Sequence, residues 1–197
     1  MRYGAEHKQQ TRERVLTQAA KAIREDGPHQ LGVADVMAKA GLTHGGFYAH
    51  FKSKDELVAA TIDAMFAQGR ERMALETSDR TPTEALRNYV NFYLSRSHRD
   101  ARESGCPLPY LAADAPRLTE TARERFAAGF RGLRASLGAK LALIEVEAPE
   151  EAAASMLAEL VGALSLARAE PETARSDEIL RRSRAALRLR FNLDPKS

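Results

Sequence analysis

Apolar positions recur every three or four residues along almost the whole chain, the period of amphipathic helices. Val15, Leu16, Ala19, Ala20 and Ile23 share one face of a first helix, which Gly27-Pro28 ends. Val33, Val36, Met37 and Ala40 make a second, short helix stopped by Gly41, and Phe47 and Phe51 share a face on a third. Ser53 and Glu56 have the spacing of a capping box. They open a long fourth helix striped by Leu57, Val58, Thr61, Ile62, Met65, Phe66 and Met73. Thr81, Pro82 and Glu84 announce the next helix, continued by Leu86, Tyr89, Val90, Tyr93 and Leu94. Gly105-Cys106-Pro107 breaks the pattern, and a short piece from Leu108 to Ala113 precedes Pro116. Leu118, Ala122, Phe126, Phe130, Leu133, Leu137, Leu141 and Ile144 then step by four or three through a long helix. Segments Glu150–Arg168 and Ser176–Phe191 complete the set. No segment alternates as a strand does, so the pattern predicts an all-α fold of about nine helices.

Composition narrows the picture. A chain of 197 residues has room for a small domain and a larger one. No apolar run approaches the length of a membrane span and no export signal is visible, so the expectation is a protein without membrane attachment. The single cysteine, Cys106, forbids an intrachain disulfide and fits a reducing compartment. No Cys/His cluster has metal-ligand spacing, and neither a metal nor a cofactor is expected. The net charge of +3 is unevenly placed. Residues 1–54 hold nine Lys/Arg against five Asp/Glu, a balance of +4, and the rest holds 21 against 22, a balance of −1. Four of the five histidines also lie in the first part. The basic excess therefore sits in the N-terminal quarter.

Val33 to Phe51 has the form of a helix-turn-helix. Gly41 supplies the left-handed turn, Leu42 fills the angle between the helices, and Thr43 caps the helix that follows. Gly45 and Gly46 remove bulk where a backbone approaches a ligand, Phe47 and Phe51 anchor the helix, and Tyr48, His50, Lys52 and Lys54 remain to meet phosphates.

At these residues the segment AGLTHGGFYAHFKSKDELV resembles TetR/AcrR-type transcriptional regulators, and with the first helix the likeness covers about residues 8–60. The resemblance implies a DNA-binding domain over 1–54, a connecting helix over 55–76, and a helical effector-binding and dimerisation domain within 55–197. It further implies a non-enzymatic repressor of the bacterial cytoplasm and nucleoid, binding double-stranded operator DNA as a homodimer and released by a small molecule. Carried over residue by residue, Thr43, His44, Gly45 and Gly46 open the recognition helix, and Tyr48, His50 and Lys54 match phosphate-contacting positions. Gly32 departs from the family, which often has Thr or Ser at the start of the second helix. The stretch ESGCPLPYLAAD resembles a subset of the family with Gly-Cys followed by an acidic residue, here Asp114.

For the effector, the candidate pocket walls are Tyr89, Phe92, Tyr93, Cys106, Tyr110, Phe126, Phe130 and Met156, an aromatic set suited to a hydrophobic or aromatic molecule. For the dimer, the last two long helices offer Leu160, Val161, Leu164, Ile179, Ala186 and Leu187, with Ala152, Ala153, Gly162 and Ala163 permitting close approach. Two other readings fit the same sequence: a constitutive DNA-binding protein without effector, and a thiol sensor of oxidants or electrophiles acting through Cys106. An enzyme built on Cys106 and His98 lacks triad spacing, a phosphate loop or a metal motif.

Overall fold

The computed structural model describes residues 2–194, with side chains from Glu6 onward, and among these the chain is helical with no strand. Nine α-helices follow in order: α1 Arg2–Asp26, α2 Val33–Lys39, α3 Lys54–Thr77, α4 Pro82–Tyr93, α5 Arg96–Asp100, α6 Leu108–Leu111, α7 Glu120–Ala142, α8 Pro149–Ala169 and α9 Thr173–Arg190. Two short 3₁₀ helices, His44–Ala49 and Ala115–Arg117, interrupt the series. The all-α expectation holds. The periodicity missed α5, a single turn whose N-terminus is closed by Ser95, its Oγ accepting from His98 N–H at 3.1 Å.

Two compact units divide the chain. The first comprises the residues up to Ala67 together with Glu103–Gly129, and the second comprises Gln68–Arg102 with the residues from Phe130 onward. In the first unit, Val15, Ala19, Ala20 and Ile23 of α1 are buried with Val36, Met37, Phe47, Phe51, Leu57 and Ile62. Burying one of the larger of these side chains is worth roughly 1.5–3 kcal/mol, and this small core gathers α1, α2 and the start of α3. The capping box expected at Ser53 forms in shifted register. Ser53 Oγ accepts from Glu56 N–H at 3.1 Å, and the Glu56 carboxylate reaches back to the N–H of Lys52, at 2.7 Å, instead of that of Ser53. The segment 103–129 adds Leu108, Leu111, Ala122 and Phe126 to the buried residues of this unit, and the Phe126 ring meets Phe66 edge-on at 5.8 Å.

In the second unit α4 opens on a complete capping box, with Thr81 and Glu84 bonding reciprocally. Helices α8 and α9 form an antiparallel hairpin. Ser176 Oγ donates to Ala167 O at 2.6 Å at the closed end, and Arg190 bonds Ser155 Oγ and the Glu159 carboxylate at the open end. Helix α4 packs on both members, burying Leu86, Val90 and Leu94 with Leu160, Leu164 and Leu187. Arg99 anchors α5 to the start of α9 through Ser176 and Asp177, both at 2.8 Å.

Two glycines of α7 make a paired test of packing. A Cβ on Gly129 stands 2.1 Å from the Phe66 ring, whereas one on Gly132 meets nothing within 4 Å. Gly129→Ala is expected to cost about 1–3 kcal/mol through overpacking. Gly132→Ala is expected to stabilise by up to about 1 kcal/mol through helix propensity. Thermal or urea unfolding of the two variants checks both signs.

Candidate nucleic-acid interface

The site begins at Gly41, whose φ of +73° turns the chain left-handed after α2, as glycine does without a Cβ clash. The N–H groups of Gly41 and Leu42 donate to Ala38 O and Met37 O, each at 2.9 Å, and close the last turn. Thr43 is extended, with φ −78° and ψ 151°, and its carbonyl accepts from Gly46 N–H at 3.0 Å. Its hydroxyl makes no capping bond, so the side-chain cap expected from the sequence is replaced by a backbone one.

From His44 to Ala49 the chain winds as a 3₁₀ helix where an α-helix was expected. Two glycines lower α propensity by roughly 1 kcal/mol each, and six residues are few for the nucleation of an α-helix. The bonds Gly46→Thr43 and His50→Phe47 span three residues, and only at the end does Phe51 N–H reach Phe47 O, at 3.0 Å, with α spacing.

Two rings hold this segment. Phe47 and Phe51 are buried and stack with centroids 5.7 Å apart. Around them the chain is turned largely outward. Thr43, His44, Gly45, Lys52 and Lys54 are exposed, Gly46 and His50 are half-buried, and Tyr48 is 71% exposed although it is a large aromatic. A Cβ on Gly45 meets nothing within 4 Å, and one on Gly46 meets only ordinary contacts with Met37 and Thr43. Packing inside the chain therefore does not account for glycine at either place. Lys54 Nζ donates to His29 O at 3.0 Å and ties the start of α3 to the α1–α2 turn. At the start of α2 the odd glycine has a neighbour: a Cβ on Gly32 would stand 2.7 Å from an Asp35 carboxylate oxygen, so Asp35 lies over the N-terminus and complements its positive end.

Helix α1 adds cations that the motif did not point to. The Arg12 guanidinium stacks 4.8 Å from the centroid of Phe51. Burial lowers the pKa of His50, and the charges of Lys8 and Arg12 lower it further. Lys8 and Arg12 are one helical turn apart, an i,i+4 pair visible in the sequence only to a reader who already knew which face of α1 looks at residue 50. The arrangement presents an exposed aromatic, a histidine and four cations beside two glycines, a surface suited to phosphates with room for close backbone approach.

The remaining candidates divide between the units. Tyr89, Tyr93 and Met156 are buried in the second unit and Phe92 and Phe130 are half-buried there. Arg72 stacks over Phe92 at 4.3 Å, and His98 stacks against it at 5.0 Å, so that ring is already engaged on the chain's own side chains. Cys106, Tyr110 and Phe126 belong to the first unit, Cys106 being buried at the foot of α6. Of the residues expected at a dimer surface, Leu160, Leu164 and Leu187 are fully buried within the single chain and are unavailable as surface. Val161 and Ile179 are half-buried and Ala186 is exposed. The large apolar side chains that do reach solvent on α8 and α9 are Leu166, 63% exposed, and Leu189, 83% exposed.

Comparison with known proteins bears on the same two regions. Residues 15–61 match the family of bacterial regulatory proteins of the tetR type. Residues 82–185, more than half the chain, match the C-terminal domain of LmrA/YxaF-like transcriptional regulators. The chain is 25% identical over 133 residues to the HTH-type transcriptional repressor NemR of Escherichia coli (strain K12), covering 66% of this chain and 67% of NemR. It is 37% identical over 60 residues to the HTH-type transcriptional regulator TtgR of Pseudomonas putida, a stretch covering 30% of this chain and 29% of TtgR. Among solved structures, the reduced form of E. coli NemR superposes with a TM-score of 0.80 at 23% identity, over 91% of this chain and 97% of that one. A TetR transcriptional regulator from Chloroflexus aurantiacus gives 0.80 at 26% identity, over 95% and 96%.

Anchor and surface ring are separable by stability. Phe47→Ala is expected to cost about 3–5 kcal/mol, since it empties a buried site. Tyr48→Ala is expected to cost far less, no more than about 1.5 kcal/mol, since its exposed ring contributes only an edge-on contact with Phe47, the centroids 5.3 Å apart. Urea melts of both variants check this.

Proposed function

Because the chain belongs to the TetR family of bacterial transcription regulators, we propose that it is a repressor that grips palindromic operator DNA as a homodimer through residues 43–54 and lets go when a small hydrophobic or aromatic effector binds. The single observation that carries this reading is the outward face of the 3₁₀ segment: Tyr48 exposed between two buried phenylalanines, beside two glycines that internal packing does not require. Removing side chains at 45 and 46 lets backbone come close to base edges. Tyr48, His50, Lys52 and Lys54 then meet phosphates, and His44 is the side chain placed to touch a base. So few base-reading groups favour recognition by groove shape.

The dimer surface is the uncovered side of the α8–α9 hairpin. Helix α8 is long and apolar enough to cross a membrane by length and composition, yet only 39% of its most apolar stretch is buried within one chain. A second copy covering Ala158, Val161, Gly162, Leu166, Ala186 and Leu189 gives that apolar surface a partner and forms a four-helix, two-fold contact. The two recognition segments then face half-sites one turn, or a multiple of it, apart, at roughly 34–36 Å per turn.

An effector acts only by binding the DNA-incompetent state better, and a tenfold loss of operator affinity needs about 1.4 kcal/mol of that difference. The set Tyr89, Tyr93 and Phe130, with Met156, supplies the apolar lining. Burial of Cys106 gives no support to a thiol sensor.

Two measurements test the reading. In fluorescence anisotropy with a duplex selected by the protein from a random pool, Tyr48→Phe and Lys54→Ala are expected to weaken binding to all sequences alike. Lys54→Ala should also flatten the salt dependence by about one released counterion, and His44→Ala should change sequence preference instead. Undiminished affinity in a Tyr48/His50/Lys54 triple alanine variant sinks the DNA surface. In light scattering at micromolar concentration, the wild type is expected to be dimeric, and Leu166→Arg with Leu189→Arg is expected to give a folded monomer. A monomeric wild type removes the dimer.

A further inference from the structure

His50 closes the 3₁₀ segment. Its backbone N–H donates to Phe47 O at 2.9 Å, and its φ of −119° and ψ of −32° fix where its side chain starts. The imidazole is half-buried and lies tilted beside Phe51, with ring centroids 6.5 Å apart. Its two nitrogens have different surroundings. Nδ1 is sealed from solvent and has no hydrogen-bond partner among the described residues. Nε2 is the nitrogen left to the surface.

A neutral imidazole carries one N–H and one lone pair, and an imidazolium carries two N–H groups. Charging His50 therefore means burying an N–H at Nδ1 that nothing accepts, and such a donor forfeits its bond to water. A bare acceptor in that place is the lesser loss, as it is among backbone groups. The charges that act on the ring come from Lys8 and Arg12 of α1, and both are positive. Burial first, then these two cations, hold its pKa below the ordinary histidine value. A phosphate oxygen only accepts, so the contact needs the proton on Nε2. The second proton would then have to go to Nδ1, where no acceptor waits.

We infer that His50 meets the DNA backbone as a neutral hydrogen-bond donor, with Nε2–H outward and Nδ1 bare inside, and that it takes up no proton when DNA binds. This rests on the DNA-binding reading above and adds to it the form in which the contact is made. Two properties separate it from a cationic contact. A neutral donor releases no counterion, so His50 adds nothing to the salt dependence that the lysines set. Acidification through the range where an ordinary histidine charges does not tighten the grip through this residue.

Fluorescence anisotropy tests this on the full chain at fixed salt, from about pH 5.5 to about pH 8, with a duplex that the wild type has selected from a random pool. His50→Asn, whose amide reaches only as far as Nδ1, is expected to lose about tenfold or more in affinity. His50→Gln, whose amide nitrogen falls near Nε2, is expected to rescue binding to within about threefold of wild type. The ratio of wild-type to His50→Gln affinity should stay within about twofold across the pH range, because every other group, His44 included, titrates in both proteins. Proton uptake at His50 would make that ratio climb on acidification, by up to about tenfold per pH unit. A climbing ratio overturns the inference. So does a His50→Gln variant as weak as His50→Asn, or a His50→Asn variant as tight as wild type. Should a variant fail to fold, the wild type decides alone. Nitrogen–proton correlation spectra of the His50 ring in the complex at about pH 6 should show the proton on Nε2 and none on Nδ1, and a proton on Nδ1 overturns the inference. A wild type that selects no duplex from the pool is a different failure, which removes the DNA reading and this inference with it.

Discussion

Phe47 and Phe51, four residues apart and stacked in the core of the first unit, fix which way the segment between them faces. Because both rings point inward, Tyr48 and Ala49 between them face solvent, and only His50 is half-buried. Tyr48 is left in solvent at a cost that a purely structural helix avoids by placing a polar residue there. The 3₁₀ winding follows from the same constraint. The glycines weaken the α-helical alternative, and the rings hold both ends of a segment too short to choose its own geometry. Arg12 closes the arrangement from α1 by stacking on Phe51, so the anchor and the basic rim share one aromatic ring.

The fold was legible in the sequence where period and punctuation agreed. Gly41 takes the positive φ its place between two short helices implied, and Thr81, Pro82 and Glu84 make the capping box their spacing announces. What was not legible is what neighbours decide. Thr43 has the composition of a cap, but its hydroxyl is not used, because the 3₁₀ turn brings the Gly46 N–H to the Thr43 carbonyl instead. Helix α5 is too short to show a period and is held by Arg99, Ser176 and Asp177, which lie far apart in sequence. Lys8 and Arg12 look like any exposed charges until α1 is packed beside residue 50.

The last hairpin shows the same limit in its energetics. Periodicity reports how wide an apolar face is, not how much of it the chain itself covers. Helices α8 and α9 carry apolar residues around more than one side. The side with Leu160, Leu164 and Leu187 closes on α4 and on the hairpin itself, leaving Leu166 and Leu189 exposed. The arginines of α9 do not make this a second basic surface. Arg181 and Arg182 both bond Glu178, whose carboxyl they pull down to about 2, and Arg175, Arg188 and Arg190 pair with Glu172, Asp194 and Glu159. Exposed pairs of this kind add little stability, but they cancel charge along α9 beside the exposed Leu189.

The placement of charge then separates the two regions by chemistry. Around residues 43–54 the cations stand beside an aromatic, a histidine and the His29 carbonyl, a field suited to an anion. Along α9 the exposed cations at 181, 182 and 190 meet carboxylates of their own helix turn or of the hairpin. Arg24 belongs to neither set. It is buried, bound to two carbonyls, and so cannot serve as a surface charge or be lost cheaply. A side chain with those properties fixes the distance between two pieces of backbone. The pieces it fixes are helix α1, whose Arg12 stacks on Phe51, and the turn that leads into α6.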